Sequence, residues 1–363
     1  MKRVIVSIAA AVWCAAITAG GCQSATNNVG PQGPAGADGA AGADGMNGKD
    51  GADGQLRVYG DGSAGELHIT NGQSFILFED IGTDGNLQFT NVTIDASCEF
   101  FVPSGTVIRC TGAFTNNGTI GVSAPSSAGG GGYVLGSNTV YWPPSIGITG
   151  SQASGGALGD ATVARDGGPG GRGFILDEAE NVLMPGMFGG GSGAGALGSS
   201  GGPGGGTLVV LAQTSITNGA TGTIGASGGF GTGGGGGGAG GVIVLASPGT
   251  ITNSGSILAQ GAHGGGSTTS NGAGGGGSGG IVRMISPTIT PGTVNVTGGA
   301  AGTLGAAMSV TNDPHAGGGG GGACGGDGGG GGSVTMARTP TAAQNGIDGI
   351  FLQTKVNPTA LFY

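Results

Sequence analysis

Gly206-Thr-Leu-Val-Val-Leu-Ala212, Gly241-Val-Ile-Val-Leu-Ala-Ser247, Gly280-Ile-Val-Arg-Met-Ile-Ser286 and Gly332-Ser-Val-Thr-Met-Ala-Arg338 are four copies of one apolar run, each entered from a glycine tract. Aligned, one column holds Val209, Ile243, Val282 and Val334, and the column two residues on holds Leu211, Leu245, Met284 and Met336. Between them stand Val210, Val244, Arg283 and Thr335. Side chains alternate faces along a strand. The two apolar columns therefore predict an inward face, and the middle column a solvent face on which Arg283 can stand. A second motif follows three of the copies: Ile216-Thr-Asn, Ile251-Thr-Asn and Ile289-Thr, then Thr223-Ile224, Ser256-Ile257 and Thr293-Val294. Phe114-Thr-Asn-Asn-Gly-Thr-Ile120 is an earlier copy, which sets the start of the stack near Thr90. With unit spacings of 34, 39 and 52 residues, strand positions persist while the glycine tracts change length. Each such copy leaves an apolar face that only the next copy can bury, which is the logic of a solenoid. The expected fold is all-β: a right-handed parallel β-helix-like solenoid with glycine-rich loops, preceded by a short collagen-like segment.

Composition supports this class. Of 363 residues 95 are Gly and 15 Pro, whereas 8% are charged and 5% aromatic. So much Gly and Pro signals low complexity unless the glycines fall into a pattern, and it excludes an ordinary α/β enzyme core. The net charge of −9 leaves no basic surface to neutralise phosphates, so nucleic acid is not an expected partner.

The organisation divides as 1–21 signal peptide, 22–29 tether, 30–55 collagen-like stalk and 56–124 β-rich N-terminal part or cap of the head. An irregular glycine-rich region at 125–205, the solenoid repeats at 206–338 and a C-terminal cap at 339–363 follow. Lys2 and Arg3 begin the first segment, Val4 to Ala19 carry no charge, and Ala19-Gly20-Gly21 precede Cys22. Small residues followed at once by Cys resemble the lipobox of bacterial lipoproteins, although Ala19 stands where Leu is usual. The resemblance implies that Cys22 carries fatty acyl chains such as palmitate and becomes the new N-terminus. Gln23 is not the Asp that favours inner-membrane retention, so an exported, lipid-anchored protein at the outer membrane and cell surface is implied. A plain secretory signal or an uncleaved anchor is the alternative. Cleavage before Cys22 leaves 342 residues with net charge −11.

From Gly30 the chain reads GPQ-GPA-GAD-GAA-GAD-GMN-GKD-GAD-G, nine glycines at an unbroken spacing of three. Three polyproline-II strands wind together only where the axial residue lacks a side chain. The run resembles bacterial collagen-like proteins over about 25 residues, which implies a homotrimer. With no Pro at Y and with Asp38, Asp44, Asp50 and Asp53 repelling across a trimer, a single-chain tether is the alternative.

The tracts at 233–238, 274–277, 317–322 and 328–332 allow two readings. One is flexible loops. The other is Cβ-free chains packed side by side in a polyglycine-II manner, resembling the glycine-rich lattices of some phage adhesins. In that case Phe230, His263, Arg283 and Trp142-Pro143-Pro144 are rare side chains on a bare surface. The repeated strands between glycine tracts resemble the glycine-rich repeat regions of bacterial surface proteins and adhesins.

Motifs for chemistry are few. His68, His263 and His315 are far apart with no metal-ligand spacing. The G-x-S-x-G matches at Ser227 and Ser278 lack a strand-to-helix context, and no Lys follows a glycine loop as in a P-loop. The tract around Asp327 touches a calcium nonapeptide pattern without its repeated Asp. No catalytic residue, metal or cofactor is expected. Cys98 and Cys110 bracket a strand-rich stretch and are expected to pair in an exported protein, leaving Cys324 as apolar filler or an inter-chain thiol. Three functions compete. The first is a lipid-anchored structural or adhesive surface protein, extracellular-matrix-like in role, whose ligand is a surface glycan or protein. The second is a β-helix that binds or degrades polysaccharide. The third is an ice- or crystal-surface binder using Thr288, Thr290 and Thr293, a row too short and irregular to favour it.

Overall fold

The computed structural model describes residues 58–362 except 71, 78–84, 124–132, 136–137, 141–166, 173–178, 186–188, 194–199, 270, 306–315, 323–325, 336 and 338. The signal, Cys22 and the collagen-like run lie outside the described residues. Six coils succeed one another, each laying down three strands. The first is Leu67–Ile69 (β1), Ser74–Ile76 (β2) and Gln88–Phe89 (β3), and the second is Val92–Ile94 (β4), Glu99–Pro103 (β5) and Thr106–Cys110 (β6). The third is Ala113–Asn116 (β7) and Thr119–Ser123 (β8), then an antiparallel hairpin of Tyr133–Leu135 (β9) and Asn138–Val140 (β10), then Thr207–Ala212 (β11). The fourth is Ser215–Asn218 (β12), Thr223–Gly225 (β13) and Val242–Ala246 (β14). The fifth is Thr250–Asn253 (β15), Ser256–Leu258 (β16) and Ile281–Ile285 (β17), and the sixth is Thr288–Thr290 (β18), Thr293–Asn295 (β19) and Ile350–Thr354 (β20).

First strands stack on first, second on second and third on third, forming three parallel sheets of six strands, here A, B and C. Inward side chains from all three sheets meet in one core that contains Phe100, Phe114, Ile120, Leu208, Ile216, Ile224, Ile243, Ile257 and Val282. The Ile216–Ile251–Ile289 ladder with Phe114, and the Ile120–Ile224–Ile257–Val294 ladder, pair as the sequence motif implies. At the corner after sheet A, buried asparagines form a chain. Asn116 Nδ2 donates to Asn218 Oδ1 at 2.8 Å, and Asn218 Nδ2 to Asn253 Oδ1 at 2.7 Å. Asn253 Nδ2 ends it on the carbonyls of Pro291 and Thr293. This is why Asn recurs after Ile-Thr: a bend buried on every side needs a group that both donates and accepts.

The structure differs from the sequence expectation in four places. In sheet C, Leu208 and not Val209 pairs with Ile243, which pairs with Val282. Leu208, Val210 and Ala212 thus face inward, and Val209 and Leu211 belong to a second cluster on the outer face. A one-residue slip exchanges the faces, and β11 hides such a slip because all six of its residues are buried. Second, Arg283 does not face solvent. The outer side of sheet C is covered by Val58, Tyr59, Ala179, Val182, Leu183 and Phe362, and Arg283 is only 7% exposed. Its Nη1 donates to the carbonyls of Glu180 and Val182, which ties the 179–183 strap to the sheet. Third, the copy at 332–338 is not a rung: Val334 makes an isolated antiparallel bridge to Pro340, and β20 pairs with β17 instead. Fourth, coils begin at Leu67 and not near Thr90, so the first two coils occupy the stretch read as a cap.

The corners from A to B and from C to A are short throughout. All long insertions, at 77–87, 124–206, 226–241, 259–280 and 296–349, leave by the corner between B and C. There the glycine tracts hydrogen-bond to one another in steps of three. Gly237 and Gly240 N–H donate to Gly275 and Ser278, Gly238 and Gly241 to Gly229 and Ala226, and Gly275 and Ser278 to Gly318 and Gly321. Gly276 and Gly279 donate to Gln344 and Ile347, and Gly274 and Gly277 to Gly265 and Ala262. Successive residues of one tract thus bond to different neighbours, and every third residue returns to the same one. The tracts are an ordered lattice, not loose loops.

Replacing Asn218 by Ala strips the acceptor from Asn116 and the donor from Asn253. Equilibrium unfolding in denaturant is expected to show a loss of about 2–3 kcal/mol, from buried polar groups left unpaired.

Candidate functional site

Threefold spacing determines which side chains the lattice can carry. Residues that point into it meet another backbone. A Cβ on Gly236 would overlap the Gly319 carbonyl oxygen, and one on Gly277 the Gly238 oxygen. Small side chains such as Ala239, Ala273 and Ser278 are buried within the tracts, and most larger ones stand where a tract meets solvent, at a spacing of three residues. Along one flank the outward positions are Ser227 and Phe230, then Gln260 and His263, then Thr297 and Ala300. These three tracts run side by side, with Gly228 and Gly231 N–H donating to Gln260 and His263, and Gly261 and Gly264 N–H to Thr297 and Ala300. The flank ends at Asn345 and Asp348, which follow the same spacing.

Most of these side chains supply hydrogen bonds that a missing neighbour would otherwise make. Ser227 Oγ accepts from the Gln260 N–H at 3.1 Å, and Gln260 Nε2 donates to Thr297 Oγ1 at 3.3 Å. Asp348 Oδ1 accepts from the Gly298 N–H and Asn345 Oδ1 from the Ala301 N–H. His263 Nδ1 accepts from the Ala300 N–H at 3.1 Å, which leaves the ring proton on Nε2. The His263 ring stacks on Phe230, with centroids 5.7 Å apart and planes 4° from parallel. Phe230 is the most exposed large apolar side chain among the described residues, at 69%. Folding gains little from a ring left in water. A flat pair of rings beside hydroxyl, amide and carboxylate groups can take the apolar face of a saccharide ring while its hydroxyls meet the polar row.

The other residues singled out from the sequence do not converge here. His68 Nε2 lies 3.2 Å from Asp95 Oδ1 on the outer side of sheet A. Ser278 is fully buried within a lattice strand. Asp327 lies in another glycine tract, and Arg283 on the far face of sheet C. Cys14, Cys22, Trp142-Pro143-Pro144, His315 and Cys324 lie outside the described residues. Among the described residues no three His, Cys, Asp or Glu side chains are grouped to hold a metal, and no helix is long and apolar enough to cross a membrane. The sequence singled out Phe230 and His263 as rare side chains, but not the polar row beside them. The signal was present: Ser227, Gln260 and Thr297 each stand three residues before the next outward position.

Cys98 and Cys110 are free, buried thiols. Cys98 precedes β5 at the A-to-B corner and Cys110 ends β6 at the C-to-A corner, so a side of the coil the length of β7 separates them. That side spans ~13 Å at 3.3 Å per residue, against a Cα limit of ~7 Å for a disulfide. Burial pushes the Cys110 thiol up to about 12 from an ordinary value of 9.0.

No protein-family model matches the chain, and no curated protein or solved structure was found to be similar to it.

Gly236→Ala is expected to destabilise by ~3 kcal/mol, the upper part of the range for overpacking. Gly330→Ala, whose Cβ would come no closer than 3.3 Å to any atom, costs far less in the same unfolding assay. Cys110 stays protonated and unreactive in the fold, so peptide mapping should find Cys98 and Cys110 alkylated only after denaturation, with no reductant needed. Because the unfolded thiol ionises first, Cys110 makes stability fall as the pH climbs from 9.0 towards about 12.

Proposed function

We propose that this is a lipid-anchored, surface-exposed structural or adhesive protein. Acyl chains on Cys22 hold it to the outer membrane, the G-x-y run at 30–54 projects it as a trimeric stalk, and the head presents a saccharide-binding flank. The glycine lattice is a polyglycine-II bundle carried on a right-handed β-helix. Right-handedness follows the rule for connections between parallel strands, and the threefold hydrogen bonding is that of chains with three residues per turn. One observation carries the reading: a lattice almost bare of side chains stacks Phe230, the most exposed large apolar side chain among the described residues, on His263 beside a polar row. A single such patch binds weakly. Three linked heads raise avidity by ~10²–10⁴ wherever a surface repeats its glycans.

The test uses the chain from residue 22 with Cys22→Ser, on an array of bacterial and host surface polysaccharides. Retention is expected on at least one glycan class. It should be lost in Phe230→Ala, whose melting curve is unchanged, and fall by ~10²–10⁴ when residues 30–54 are deleted. Binding indifferent to both changes would contradict the proposal.

A further inference from the structure

The outward face of sheet A has no part in the flank. Its central column, aligned rung upon rung, is Thr93, Thr115, Thr217, Thr252 and Thr290. Two residues earlier the last three coils add Ser215, Thr250 and Thr288. The row that looked short in the sequence is therefore five rungs long, its members scattered because insertions separate the coils. Strand propensity favours threonine, but it does not account for this column. Sheet B has two outward columns in the same coils, Phe101, Gly121, Gly225, Leu258 and Asn295 in one and Glu99, Thr119, Thr223, Ser256 and Thr293 in the other. The central column of sheet A is threonine through all five rungs, whereas the hydroxyl column of sheet B begins at Glu99 and the one beside it is mixed.

The ladder has definite physical properties. Rungs lie ~4.8 Å apart, and residues two apart in a strand ~6.7 Å apart, so hydroxyl and methyl groups repeat in two directions. Threonine is stiff about χ1, which fixes each group in place, and side-chain ladders keep a sheet flat. In coils three to six the remaining outward positions are Ala113, Asn117, Gly219, Ser254 and Gly292, so there this face is uncharged on a chain of net charge −9. On the first two coils the face carries titratable groups: His68 is the rung beside Thr93 in the central column, and Asp95 stands two residues on from Thr93. Among the described residues, none of the five threonine hydroxyls in the column is hydrogen-bonded to the protein.

We propose that this face adsorbs to ice. Its occupant must be uncharged, rigid and regular, and must both donate and accept hydrogen bonds. A saccharide polymer would call for aromatic rings to stack on, and a mineral for carboxylates; in coils three to six the columns hold neither. Ice is a solid lattice of hydrogen-bonding oxygens. A fixed array of hydroxyls and methyls can hold a first layer of water in lattice positions, whereas charged groups would keep their own hydration shells. The inference rests on sheet A alone, so its failure leaves the role of Phe230 untouched.

The chain from residue 22 with Cys22→Ser is assayed for thermal hysteresis and ice-crystal shaping, and for retention on crystalline cellulose. Shaped crystals and a hysteresis gap are expected. Both should be lost in the pair Thr217→Lys and Thr252→Lys, checked for an unchanged melting curve. Should that pair not fold, Thr217→Ser with Thr252→Ser keeps the hydroxyls, removes the methyls and must likewise lose the gap. No shaping by the parent chain overturns the proposal, as does shaping that survives the substitutions. Retention on cellulose through these threonines without ice activity overturns it in favour of a polysaccharide surface.

Discussion

Backbone lies against backbone at the corner between sheets B and C, and the rest of the head depends on that contact. The Gly237 N–H reaches Gly275, the Gly321 N–H reaches Gly237 and the Gly276 N–H reaches Gln344, because no side chain holds the tracts apart. The energetics are narrow. Ordering a residue's backbone costs ~1–2 kcal/mol, and glycine stands at the high end, whereas a net hydrogen bond returns ~1 kcal/mol. A lone tract would gain nothing by ordering. Order becomes favourable because the solenoid fixes both ends of each tract and stacks the tracts at a set spacing, so most of the closure entropy is already met by the apolar core. The solenoid and the lattice are one cooperative object.

Such a body has an unusual surface. Where the lattice is closed only small side chains such as those of Ala239 and Ser278 are admitted, so most larger ones gather where it meets solvent, every third residue along a tract. Most of them replace hydrogen bonds that an absent neighbour would have made, as Asp348 does for Gly298 and Asn345 for Ala301. Phe230 serves no such need, and its exposure sets it apart. Sheet A reaches regularity by the opposite route, with a side chain at every rung. Both surfaces are repetitive because the scaffold is, and repetition suits ligands that are themselves repetitive.

Much of this was legible in the chain. The Ile-Thr-Asn and Thr-Ile motifs alternate apolar and polar cleanly, so their faces and ladders could be read directly, and the structure pairs them so. Thr207–Ala212 could not be placed by the same rule. The strap at 179–183 and the C-terminal segment cover its outer face, which makes both parities apolar and removes the signal that sets register. The last rung was hidden for another reason. Residues 296–349 separate β19 from β20, and Val334 stands inside that insertion in a run that imitates a rung. Arg283 looked like a solvent marker because charge usually is; here its guanidinium serves the carbonyls of Glu180 and Val182 instead. Phe230 and His263 were conspicuous against glycine, but their stacking depends on adjacent tracts that the sequence leaves 33 residues apart.

The most direct measurement is amide hydrogen exchange across 226–241 and 259–280 in the intact head. If the tracts form the lattice, glycine amides such as Gly237, Gly275 and Gly277 are protected as strongly as those of β14 and β17, and they lose protection in the same transition. Exchange of those amides at the rate of an unstructured peptide, while the strands stay protected, would contradict it. The tracts would then be tethers between rungs, and neither the flank nor its stacked rings would have a frame to stand on.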